Sequence, residues 1–287
     1  MTLKEVINSN NFIVTTEICP PKGVEVKPLL EKAKILKGLV DAVNVTDNQR
    51  AKMNLSSLAF SRLLVEEGFD PIFQMTCRDK NALALQSDIL GAYALGIRNI
   101  LAITGDYPIG GTVRPVYDLD SVQLISTIKK MANEGIDSFG DKLLGKPDFL
   151  VGGAVNPGSE PLEPQLIKMK KKIAAGTDFF QTQVIYDIEL FKKFLEEVND
   201  PNLKIIAGIF PLKTYKLAVF LNEKVPGVKI PPEILSRMEK SANPENEGLE
   251  IAADLINQVK TLCSGVHIMT LNSLEMVEAL ISRTNLK

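Results

Sequence analysis

The chain holds a single histidine, His267, among 287 residues. One imidazole excludes a His-Glu-x-x-His zinc site and any metal centre built on two histidines. It also excludes most Ser-His-Asp or Cys-His designs, which need a well-placed loop histidine. Cysteine is nearly as scarce. Cys19, Cys77 and Cys263 are odd in number and show no Cys-x-x-Cys spacing, which argues against a disulfide framework and a zinc ribbon. A surplus of one charge is lacking too. Lys+Arg 33 against Asp+Glu 35 leaves a net charge of −2, no footprint for nucleic acid or an anionic membrane. Apolar runs such as residues 149–155 stop far short of the roughly 20 residues that a membrane span requires, so no membrane insertion is expected. Residues 1–12 are polar, without a signal-peptide core, and a cytoplasmic location is the expectation. There is no Gly-x-Gly-x-x-Gly and no Walker P-loop. Chemistry must rest on carboxylates, amides, hydroxyls, lysines or a bound cofactor.

What is present is a globular composition, 45% hydrophobic and 24% charged, with enough apolar residues for a large core. Short apolar runs fall at residues 12–18, 42–46, 71–77, 99–103, 149–155, 179–185, 204–210 and 266–270. Several are apolar on both faces, as buried parallel strands are. Amphipathic segments separate them, at 26–39, 54–67, 81–95, 121–133, 164–175, 188–198 and 212–223, with another at 273–281. Two more, 232–241 and 247–262, precede the last strand, the first opened by Pro231 and Pro232. Eight strands each followed by helix read as a (β/α)8 TIM barrel with extra helices before the last strand, one domain over 1–287. A doubly wound sheet is the competing pattern. Residues 144–147 and 107–117 read as long barrel loops.

In such a barrel the active site forms at the carboxyl ends of the strands. Glu17 lies inside an apolar strand, just before Pro20-Pro21. A carboxyl in a partly dry barrel mouth has a raised pKa and suits a general acid, the alternative being a pair with a lysine such as Lys22. Asp106 follows Thr104-Gly105 and reads equally as a site carboxylate or as a turn residue capping its own backbone. Thr182 and Gln183 occupy a buried strand and need polar partners, ligand or protein. The loop Asn156-Pro157-Gly158-Ser159 opens a helix and can present N–H groups to a phosphate, a weak signal. Lys168 and Lys172 share a helix face that reads first as solvated. His267 reads as a satisfied core histidine, and Cys77, beside Arg78, as an inert thiol.

Taken in order, Thr16-Glu17 with Pro20-Pro21, Asn44-Val45-Thr46, Met75-Thr76-Cys77, Thr104-Gly105-Asp106, Thr182-Gln183 with Asp187, Gly208-Ile209-Phe210-Pro211 and Thr270-Leu271-Asn272 resemble the strand ends of the methylenetetrahydrofolate reductase family, short prokaryotic type. The resemblance spans essentially the whole chain. It implies a flavin-dependent barrel that reduces 5,10-methylenetetrahydrofolate to 5-methyltetrahydrofolate. By resemblance Glu17 is the general acid, Asp106 sits near pterin and flavin, Gln183 contacts the folate, and Tyr215 stacks on substrate. It also implies a flavin site that draws on Thr46, Gln74, Thr76 and Thr104, together with Gly105, Asp106, Asn156 and Lys172. Gln74 and Thr104 stand where better-known bacterial members carry His and Arg, and the Asn156-Pro157-Gly158 segment lacks their aromatic and His residues. The cofactor implied is FAD, with FMN as the alternative, and NADH or NADPH as electron donor. The implied partners are a second copy of the chain, a small zinc-containing subunit or an electron-transfer subunit. No metal is implied in this chain. Two rival readings are a pterin-binding methyltransferase-type barrel without flavin and a non-catalytic subunit of a one-carbon redox complex.

Overall fold

A computed structural model describes residues 1–108 and 113–286, so positions 109–112 of the long loop lie outside the described residues. The strands are β1 Ile13–Ile18, β2 Ala42–Val45, β3 Pro71–Thr76, β4 Asn99–Ile103, β5 Leu150–Val155, β6 Phe179–Val184, β7 Ile205–Ile209 and β8 Gly265–Ile268. Each pairs in parallel with the next, and β8 closes on β1 through Ile13↔Gly265 to Thr16↔Ile268. The expected (β/α)8 barrel is therefore the fold, and the doubly wound sheet is excluded.

The helices are α1 Leu3–Asn8, α2 Lys27–Ala33, α3 Ser57–Glu66, α4 Ala82–Ala94, α5 Ser121–Asn133, α6 Glu163–Ala174, α7 Ile188–Val198, α8 Tyr215–Lys224, α9 Pro232–Lys240, α10 Pro244–Val259 and α11 Leu274–Thr284. Their starts follow capping chemistry more closely than hydrophobic period. Ser56, Thr214 and Asn243 accept N–H bonds from Ala59, Leu217 and Asn246, and these caps set where α3, α8 and α10 begin. Between β7 and β8, α10 packs on β7 between α7 and α11, in the ordinary barrel position. The elaboration is α8 and α9. Among the described residues no helix is long and apolar enough to cross a membrane.

The helix that hydrophobic pattern does not announce is α1. Its capping box joins Thr2 and Glu5, and Leu3, Val6 and Ile7 are buried beneath the barrel. They meet Ile13, Ala42, Ile72, Leu101, Leu150, Phe179 and Ile206 in one apolar cluster that seals the amino end. Gly152 of β5 belongs to this floor for a steric reason. A Cβ there would collide with the Phe179 ring and crowd Leu101. The helix is tied down by Asp70, whose Oδ2 accepts the Leu3 N–H at 2.6 Å.

Candidate active site

Above the floor, the barrel interior turns polar. Asn44 of β2 and Gln181 of β6 exchange amide hydrogen bonds across it, at 2.7 and 3.1 Å. Gln181 also donates to Thr15 Oγ1 at 3.4 Å, and Thr15 Oγ1 lies 3.0 Å from His267 Nδ1. Asn44, Gln181 and His267 come from even-numbered strands, in keeping with the layering of such barrels. Each buried amide thus finds a partner inside the protein. His267 is a satisfied histidine, but it is not remote from the site: its Nε2 faces the cavity and lies 3.9 Å from Glu17 Oε2.

Over this layer opens a cavity of about 450 Å³ at the carboxyl ends of the strands. Glu17 stands at its base, 6% exposed. Period-two alternation along β1 points Thr15 and Glu17 to the same side. The carboxylate accepts a bond from Gln49 Nε2 at 3.4 Å, and among the described residues no lysine lies within ion-pair distance of it. Asp106 enters from the loop after β4. That loop turns at Gly105, at φ +90°, where a Cβ would strike Thr76 and crowd Arg78. The Asp106 carboxylate caps nothing, and among the described residues no donor reaches it. Only its backbone oxygen is engaged, by Arg78 Nη1 at 3.4 Å.

Thr182 and Gln183 also reach the cavity, helped by a register break between Gln181 and Val184 in the β6–β7 pairing. Thr182 Oγ1 accepts the Gly208 N–H, and Gln183 Oε1 accepts the Val184 N–H, leaving Gln183 Nε2 uncommitted. On the β5 side stand Lys168 and Lys172, two of the four lysines of α6. Lys170 and Lys171 are the solvated residues of that run, while Lys172 is 5% exposed and donates to Ala154 O at 2.6 Å. Burial and the neighbouring Lys168 ammonium lower its pKa to about 8. Lys168 donates to Thr104 Oγ1 at 3.4 Å. Among the described residues neither lysine has a carboxylate within ion-pair distance.

Gln74, Thr76, Thr104, Gly105 and Asn156 line the cavity. The amide of Asn156 is already used, donating to Pro226 O and accepting the Gly158 N–H. Thr46 and Tyr215 fall outside that lining. Thr46 is wholly buried, its hydroxyl has no partner among the described residues, and it is not part of the cavity lining. Tyr215 begins α8, 37% exposed, away from the lining. Cys77 is inert as read, its thiol pushed up to about 12 by burial.

Two further groups at the mouth, Arg78 and Asp47, lie outside the expected set of site residues. Arg78, with its side chain 2% exposed, makes a two-pronged pair with Asp79 and donates to Asn48 O and Asp106 O. It thereby ties the loops after β2, β3 and β4. Asp47 lines the cavity and accepts the Thr76 N–H at 3.0 Å. Burial raises its pKa, against the pull of Lys80, the Thr76 N–H and Ser57. An adjacent Arg-Asp pair at a strand end was the available signal for the first, and an aspartate directly after a strand for the second.

A closed parallel barrel with a carboxylate at the base of a polar mouth defines a TIM-barrel enzyme scaffold. A family model described as Methylenetetrahydrofolate reductase matches residues 2–285, and this chain belongs to that family. A 5,10-methylenetetrahydrofolate reductase of Buchnera aphidicola subsp. Schizaphis graminum is 26% identical over 96% of this chain and 92% of its own length. A probable methylenetetrahydrofolate reductase (NADPH) of Caenorhabditis elegans is 26% identical over 83% of this chain, which spans 36% of that longer protein. Among solved structures, a Clostridium thermocellum protein that binds two copies of 5-methyl-5,6,7,8-tetrahydrofolic acid superposes with a TM-score of 0.68 at 18% identity, covering 97% of each chain. That last likeness speaks for the fold.

Proposed function

We propose that the chain reduces 5,10-methylenetetrahydrofolate to 5-methyltetrahydrofolate, with Glu17 as proton donor and a flavin, FAD or FMN, as redox cofactor. The observation that carries this reading is Glu17 at the base of the cavity, bonded to Gln49 and backed by His267 and Thr15. The names of the relatives support it, as does the folate bound by the Clostridium protein.

Opening the five-membered ring of the substrate requires that N10 leave as a neutral amine. Glu17 holds the proton for that step. His267 stands behind it, Nε2 at 3.9 Å from the Glu17 carboxylate, with Thr15 fixing the ring at Nδ1. Asp106 offers an uncommitted carboxylate to the N–H groups of a pterin, and Gln183 Nε2 an uncommitted donor to its acceptors. The residues on the opposite wall fit a phosphate-bearing cofactor, because Lys168 and Lys172 are two cations at the cavity that have no carboxylate counter-ion among the described residues. They would hold its tail, with Gln74, Thr76, Thr104, Gly105 and Asn156 alongside. Such a flavin supplies the hydride, which no protein side chain can. A nicotinamide dinucleotide, NADH or NADPH, is the donor class we assign. Thr46 and Tyr215 are left out of the assignment, since neither fronts the cavity.

The test is Glu17→Gln, which keeps size and hydrogen-bonding reach. Flavin reduction by the donor needs no proton on the folate, whereas folate reduction does. The variant should therefore spare the first half-reaction and slow the second by about 10²–10⁴-fold. Equal slowing of both in stopped flow would reduce Glu17 to a shaping role.

A further inference from the structure

One cation at the mouth has no task in the scheme above. Arg50 lines the cavity from the loop between β2 and α3, and among the described residues its guanidinium makes no hydrogen bond or ion pair. Arg62 pairs with Glu66, Arg78 with Asp79, Arg237 with Glu247 and Arg283 with Glu250, and Arg98 lies over the Tyr93 ring; Arg114 has no such contact among the described residues, but it is exposed and does not line the cavity.

The backbone that presents Arg50 is strained. Asn48, Arg50 and Ala51 have φ of 46°, 56° and 56°, left-handed values that side-chain-bearing residues keep only where the surroundings impose them. The surroundings do so at Asn48. Its carbonyl accepts from Arg78 Nη2 at 2.9 Å, its Oδ1 accepts the Asn54 N–H at 3.0 Å, and its Nδ2 donates to Asp79 at 3.3 Å. Gln49 lies between the strained residues and donates to Glu17. The loop therefore does two things: it sets Gln49 against the proton donor and holds a free guanidinium at the rim beside it.

We propose that Arg50 binds the glutamate carboxylates of the folate tail and so makes the site selective for tailed over tailless pterins. This rests on the reductase reading. If N10 meets Glu17, the carboxylates lie one benzoyl ring and one amide bond further out, and Arg50, which lines the cavity, directly follows Gln49, the hydrogen-bond partner of Glu17. Lys168 and Lys172 are on the β5 side and cannot serve both the cofactor tail and this one. The planar fork of a guanidinium matches a carboxylate with two parallel N–H bonds, which an ammonium cannot reproduce. The phosphates of a nicotinamide donor are the other anions that share this chemistry.

A ligand-truncation cycle tests the assignment. Dissociation constants are measured for 5-methyltetrahydrofolate and for its pteroate analogue, which lacks the glutamate, on wild type, Arg50→Gln and Arg50→Lys. The expected result is a loss of about tenfold to a hundredfold for Arg50→Gln with the folate, and none with the pteroate. Arg50→Lys should recover only part of the loss, and the KM for the nicotinamide donor should not move. Equal weakening of both ligands would overturn the proposal, because Arg50 would then act through the loop on Gln49 and Glu17. A change confined to the donor KM would overturn it in favour of phosphate binding. Unchanged folate affinity in Arg50→Gln would sink this inference alone, whereas a wild type that binds neither ligand would sink the reductase reading beneath it.

Discussion

Asp70 and Asp47 stand at opposite ends of the same barrel, and burial raises the pKa of both. At the floor, Asp70 is spent on structure: it accepts from the Leu3 N–H and from Asn99, pinning α1 over an apolar plug. At the mouth, Asp47 accepts from Thr76 yet still faces an open cavity. The contrast extends beyond these two. Floor side chains fill space and satisfy one another, while Asp106, Gln183 and Arg50 at the mouth keep polar atoms without partners among the described residues. Groups left uncommitted at one end of an otherwise satisfied molecule are what a ligand site requires. The two ends should therefore answer to different assays.

The largest expected effect belongs to the floor. Phe179→Ala should cost about 3–5 kcal/mol of unfolding free energy, the usual scale for a buried aromatic truncation, measured by urea denaturation. Per folded molecule, turnover should be unchanged, and a matching loss of turnover would erase the division between the ends. Next comes Asp106→Asn at the mouth. It should raise the potential of the bound flavin and weaken folate binding by about 1–3 kcal/mol, with the denaturation midpoint unmoved. Unchanged potential and unchanged folate affinity would leave the carboxylate without a role.

Lys172 should show the opposite signs in the two assays. Its folded pKa, about 8, lies below that of an ordinary lysine, so below pH 8 the folded state bears the cost of a buried ammonium. Between that value and the ordinary one the unfolded chain binds more protons, and stability rises with pH. Lys172→Met should therefore stabilise the ligand-free protein by about 1–2 kcal/mol at neutral pH, an advantage that fades at alkaline pH. The same variant should retain flavin poorly, and wild-type flavin affinity should fall as pH rises through about 8. The smallest effect compares the aspartates directly. Both carboxyls are raised in the folded state, so each adds stability that is lost as pH rises through its folded pKa. Asp47→Asn and Asp70→Asn should each remove this pH-dependent contribution, and only Asp47→Asn should alter turnover.

Much of the barrel is legible in the chain because buried parallel strands leave short apolar runs, and the mouth carboxylates are legible because they end those runs. Glu17, Asp106 and Gln183 all line the cavity. Lys172 needs the motif, since its run reads as a solvated face and only the fold buries it. What stays hidden depends on contacts far apart in sequence. Thr15 meets His267 across 252 residues and Asn44 meets Gln181 across 137, so neither pairing leaves a local trace. The burial of α1 makes sense only once an apolar floor exists for Leu3 and Ile7 to cover. Thr46 and Tyr215 show the converse: a motif position carries a residue type but not the direction in which the side chain faces the cavity.

The central claim is that the mouth holds a flavin and uses it on methylenetetrahydrofolate. The direct measurement is to purify the protein, quantify bound flavin from its visible spectrum, reduce it anaerobically and mix it with 5,10-methylenetetrahydrofolate in stopped flow. The account predicts about one non-covalent flavin per chain. It also predicts rapid return of the oxidised absorbance, with 5-methyltetrahydrofolate formed in equal amount. A folded, colourless protein that still converts the substrate would contradict the flavin assignment. A colourless protein that binds the pterin without reducing it would favour a methyltransferase-type barrel, and a reduced flavin indifferent to the folate would contradict the reaction itself.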